Sequence, residues 1–130
     1  MEKPQNRPSP VRFWIWFNPV GRKVGGWAYI LHRVTALGLT FYLYLHLVVL
    51  SLLAKGPSGY DQFLVLARSP IILFGELLVV AAGFLHGLNG LRIALTTFGV
   101  SVTRQKQLFF GLMVIAVIAI LIFGFRMFTV

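Results

Sequence analysis

Whatever chemistry this chain performs must come from three histidines and a few charged side chains, because it contains no cysteine. Without thiolates there are no disulfides, no cysteine-bound iron–sulfur clusters and no covalently attached haem. A metal or cofactor would have to be held by histidine or carboxylate. His32, Thr35, Leu39, Tyr42 and His46 recur at intervals of three and four, which on a helix draws them into one stripe. Fourteen residues separate His32 from His46, or about 20 Å along a helix axis.

His86 has different neighbours. Gly83, Gly87 and Gly90 lie within a turn of it, Asn89 follows, and Arg92 comes six residues later, about 9 Å further along the axis. An imidazole can ligate iron, missing side chains admit a flat macrocycle or a neighbouring backbone, and an arginine can pair with propionates. The same residues also suit plainer roles. A histidine can hydrogen-bond across a helix interface, and small residues at such spacings are often packing alone. With Glu76 they could serve a proton relay or a small proton-coupled transporter. Residue types and spacing leave these readings open.

The elements that must position these side chains are long and apolar. Val34 to Ala54 is 21 residues without a charge, Pro70 to Leu91 is 22 residues with only Glu76, and Gln107 to Phe125 is 19 without a charge. Each is long enough to cross a hydrocarbon core about 30 Å thick as a helix. Hydrophobic residues make up 58% of the chain and charged ones 12%, too little charge to cover a soluble domain. The expected fold is an all-α membrane protein with three transmembrane helices, spanning about 30–54, 70–95 and 107–128. Residues 1–26 form an N-terminal arm and 27–130 the membrane domain. Gly56-Pro57-Ser58-Gly59 reads as a turn between spans, and Glu76 as an interface carboxylate paired with Lys55 or Arg68.

The formal net charge of +9 does not point to nucleic acid, because the cations cluster at the ends of the spans. Lys3, Arg7, Arg12, Arg22, Lys23 and Arg33 precede or open the first span. Lys55 and Arg68 lie in the first loop, Arg92, Arg104 and Lys106 around the second, and Arg126 near the C-terminus. By the positive-inside rule the N-terminus and second loop are cytoplasmic and the C-terminus is outside. Phe13 to Phe17 reads as an interfacial aromatic belt, and no cleavable signal peptide is expected near the start.

Leu31-His32-Arg33-Val34-Thr35, followed by His86-Gly87-Leu88-Asn89-Gly90-Leu91-Arg92, resembles the cytochrome b subunit of succinate dehydrogenase. The resemblance covers about residues 20 to 126. It implies a membrane anchor for a complex in a prokaryotic cytoplasmic membrane, with a flavoprotein subunit, an iron–sulfur subunit and a second membrane anchor subunit completing the helical bundle. Electrons would pass from the iron–sulfur subunit to a membrane quinone. By this resemblance His86 is an axial ligand of haem b, with the other ligand from the partner anchor. His32 and Arg33 lie near the propionates and quinone, and Arg33 and Tyr29 polarise a quinone carbonyl. Members with two haems have a histidine in the outer half of the first span, which implies that His46 holds a second haem. Tyr29 stands where the family often has a quinone-contacting serine, and Ala36 replaces a common glycine, so the quinone geometry departs from the family pattern. A haem-free anchor of the same kind of complex is the alternative.

Overall fold

The structure, a computed structural model, describes residues 13–129, and among them there is no strand. Most of the arm's cations, including Lys3, Arg7 and Arg12, lie outside the described residues. A short 3-10 turn at Phe13–Trp16 precedes α1 (Val24–Ser51). After a second 3-10 turn come α2 (Pro57–Ala67), α3 (Pro70–Thr97), a third turn at Val102–Arg104 and α4 (Gln105–Thr129). Three of the helical stretches, Val24–Lys55, Pro70–Thr97 and Val102–Thr129, are long and apolar enough to cross a membrane. The all-α, three-span fold expected from the sequence is the one observed.

Two local details differ from that expectation. The first helix starts at Val24, so the end of the arm is already helical. The segment expected as a turn at Gly56–Gly59 instead opens α2. Gly56 takes φ 84, and Pro57 occupies the first helical turn, where its missing N–H costs no hydrogen bond and its fixed φ suits a helix. Gly-Pro therefore marks a helix start here.

α3 is the central element, packing against α1 and α4, which touch each other only sparsely. Its end is closed by a Schellman motif: Val100 N–H donates to Leu95 O at 2.8 Å and Gly99 N–H to Thr96 O at 3.1 Å. Gly99 supplies the φ of 83 that this reversal requires. Close packing of α3 and α4 depends on small residues. Ala116 and Gly124 are buried, and a Cβ on Gly124 would come within 3.3 Å of Leu77 Cδ1. Many large apolar side chains face outward, among them Leu37, Phe41, Ile71, Phe74 and Leu121. In a membrane such surfaces meet acyl chains or further helices, and the backbone is satisfied within each helix.

Candidate functional site

The polar residues of α1 and α3 meet near the end of the bundle where α1 begins. Ala28 faces Asn89 and Thr35 faces His86, so the two helices run antiparallel. Asn89 is 0% exposed. Its Nδ2 donates to Ala28 O at 2.8 Å, and its Oδ1 accepts from Arg92 Nε at 2.9 Å. The i, i+3 spacing of Asn89 and Arg92 places them on adjacent turns, and the amide locks the guanidinium stem to the packed interface. A buried amide with both ends bonded is stabilising, whereas leaving either end open costs its desolvation.

His86 is held by α1. Its Nδ1 lies 3.2 Å from His32 O and 3.2 Å from Thr35 Oγ1. A backbone carbonyl can only accept, so the bond to His32 O requires the proton on Nδ1. Thr35 is then free to give its own hydrogen to Leu31 O at 2.7 Å while accepting from the ring. The Nε2 atom keeps its lone pair and has no hydrogen-bond partner among the described residues. An imidazole with Nδ1 tied to a carbonyl and Nε2 free is oriented as metal-ligating histidines are.

His32 stacks on His86 with ring centroids 3.9 Å apart and planes 10° from parallel. Gly90 lets this ring lie close to the α3 backbone, 3.5 Å from where a Cβ would stand. His32 Nδ1 is buried without a partner. Gly83 and Gly87 face open space, with nothing within 4 Å of an added Cβ. Arg33 lies outside this pair. Its guanidinium sits 4.4 Å from the Trp16 ring centroid and 4.6 Å from that of Tyr29, a cation–π clamp that ties the 3-10 turn to α1.

The structure thus brings His32 and His86, held with Thr35, and Arg92, held by Asn89, to the same end of α1 and α3, with Arg33 and Tyr29 on α1 beside them. Sequence reasoning gave Asn89 and Thr35 no role, and it missed Trp16 under Arg33. The spacing of Asn89 to Arg92 was the available signal for the first. His46 is not part of this region. It is exposed, and among the described residues it meets only the Tyr42 ring, at 5.7 Å. Glu76 makes no ion pair with Lys55 or Arg68. It lines a cavity of about 640 Å³ with Tyr42 and Arg126, which corrects the interface pairing expected for it.

Among the described residues no three metal-ligating side chains converge, so the site is not a cage for a bare ion. What it offers is one oriented imidazole nitrogen on a helix whose Gly83 and Gly87 leave open space, residues that would suit a flat macrocycle ligated by histidine.

Residues 5–125 match the succinate dehydrogenase/fumarate reductase transmembrane subunits. The chain belongs to that family. Two relatives carry the same description more narrowly. The succinate dehydrogenase 2 membrane subunit SdhC of Mycobacterium tuberculosis is 31% identical over 84 residues, covering 65% of this chain and 62% of that protein. The succinate dehydrogenase hydrophobic membrane anchor subunit of Halobacterium salinarum is 32% identical over 92 residues, covering 70% of this chain and 71% of the relative. The chain therefore spans less than two thirds of the mycobacterial protein's length.

Proposed function

We propose that this chain is the haem b-binding membrane anchor of a succinate:quinone oxidoreductase in a prokaryotic cytoplasmic membrane, with its N-terminus in the cytoplasm. The observation that carries the reading is the orientation of His86, with Nδ1 tied to α1 and Nε2 left without a partner among the described residues, on a helix whose Gly83 and Gly87 face open space. A bound haem supplies one-electron transfer between the iron–sulfur partner and quinone; the protein supplies ligation, positioning and electrostatics. His86 Nε2 is the ligand from this chain, and the second anchor subunit provides the other. Thr35 and the His32 carbonyl hold the ring in one tautomer, which also makes it a better electron donor to iron.

His32 brings an unpartnered buried nitrogen to the same place, suited to a propionate or a quinone oxygen. Arg92, anchored on Asn89, keeps positive charge at the propionate end. Arg33, held between Trp16 and Tyr29, and the Tyr29 hydroxyl polarise a quinone carbonyl. By the family resemblance His46 is the ligand of a second haem toward the outer face, and its exposure leaves it accessible to one. Family membership replaces the transporter reading. A haem-free anchor is the competing one, since the stacked His32–His86 pair is also a sound interhelical contact.

The test is the pigment of the intact complex. A reduced-minus-oxidised spectrum should show a b-type band, and His86→Ala should remove one haem while the soluble subunits stay bound. A colourless wild-type complex would leave the haem-free anchor as the answer.

A further inference from the structure

We infer that the end of the bundle near Arg92 holds a binding site for the phosphodiester headgroup of an anionic phospholipid. A cavity of about 640 Å³ opens there, lined by Lys23, Val24 and Gly25 of α1's start, Arg92 of α3, and Val102 to Gln107 around the start of α4. Four of its lining residues are cations: Lys23 just before α1, Arg92 of α3, Arg104 of the third 3-10 turn and Lys106 of α4.

Nothing in the described chain neutralises them. The carboxylates among residues 13–129 are Asp61 in α2 and Glu76 in the second turn of α3, both belonging to the opposite end of the bundle. Arg92 is only 8% exposed. Its Nε is spent on Asn89, and its remaining N–H groups have no hydrogen-bond partner among the described residues. Its guanidinium lies 5.8 Å from the Phe109 ring centroid, a cation–π contact that leaves it without a counter-ion among the described residues. Two long helices, α1 and α4, also begin at the cavity. Their dipoles favour negative charge near their starts.

The position selects a lipid. The cavity lies where two spans begin and a third ends, which is headgroup depth for helices that cross the hydrocarbon core. Basic pockets between spans on the positively flanked side bind anionic headgroups by this combination of charge and depth. The inference does not depend on haem. Arg92 borders the propionate end as well, and the cations that set this site apart are Lys23, Arg104 and Lys106.

The experiment uses the purified intact complex, delipidated in detergent and re-exposed to phosphatidylglycerol or phosphatidylcholine at equal concentration, with bound lipid counted by native mass spectrometry. Wild type should retain phosphatidylglycerol in preference to phosphatidylcholine. The variant Lys23→Gln/Arg104→Gln/Lys106→Gln should lose that preference by at least about tenfold, since each cation near an anionic headgroup is worth about a fivefold factor. Its haem band should be unchanged. If the triple variant does not assemble, Lys106→Gln alone should lower retention by about fivefold. Equal retention of both lipids by wild type, or equal phosphatidylglycerol retention by wild type and variant, would overturn the inference. So would displacement by inorganic phosphate at the lipid's concentration, which would mark a free-anion site. Loss of haem from the variant would assign the cations to propionates, and loss of the soluble subunits alone would assign them to an acidic partner surface; either result overturns the lipid site.

Discussion

The two ends of the bundle treat their ionisable groups differently. Where α1 begins, His32, Thr35 and His86 form one hydrogen-bonded set across α1 and α3, Ala28, Asn89 and Arg92 form a second, and the His86 ring has a single orientation and tautomer. At the far end His46 meets only Tyr42 of its own helix, and Glu76 shares a cavity with Arg126 without an ion pair among the described residues. At the first end this chain itself fixes the His86 ring and the Arg92 stem. The second is left for something else to complete. A histidine prepared by its own fold and one presented on an outer face are two ways for a small subunit to meet a cofactor.

The largest expected effect tests that contrast directly. His86→Ala should abolish one b-type band, and His46→Ala should remove a second while leaving the first. Measured as haem per complex, a ratio unmoved by His46→Ala would break the comparison and leave the outer end as plain membrane surface.

Next comes the network itself. Asn89→Ala removes the acceptor for Arg92 Nε and the donor to Ala28 O, and should cost about 2 kcal/mol, in the range for a bond to a charged group. Glu76→Gln at the other end should stay within about 0.5 kcal/mol, as for a residue outside any such network. Thermal denaturation of the complex reads both. Comparable losses would mean that the outer end is tied as firmly as the inner one.

A smaller effect is expected from Thr35→Val. It keeps the His32 carbonyl but takes away one of the two acceptors of the His86 Nδ1–H, so haem should be held about tenfold less tightly, as judged by haem transfer to an apoprotein acceptor. Gly87→Ala sharpens the picture further. Nothing within 4 Å would meet the new methyl in this chain, so folding should be untouched. A fall in haem content would then reveal a group seated against the glycine face, and unchanged content would move that group elsewhere.

Much of the site was legible in the residues. His32, His86 and Arg92 are marked by their rarity in apolar spans, since polar groups there need partners. Asn89 was passed over because an amide one turn from an arginine looks ordinary until both are seen buried. Trp16 was read as interfacial belt, and its place under Arg33 depends on how the 3-10 turn folds back toward α1. The α2 helix was missed because Gly-Pro-Ser-Gly carries turn and helix-start signals at once, and only the chain beyond it decides between them.

By itself the sequence determined that this protein lives in a membrane as three helices. The reason is the solvent: long charge-free segments partition into hydrocarbon, and there the backbone must satisfy its own hydrogen bonds, which a helix does locally. The tertiary structure decided which polar groups meet. His32 and His86 are 54 residues apart in the chain, and no local rule brings them together or chooses which imidazole nitrogen keeps its proton. The antiparallel register of α1 on α3 does so, by setting a carbonyl and a hydroxyl opposite one nitrogen and leaving the other free.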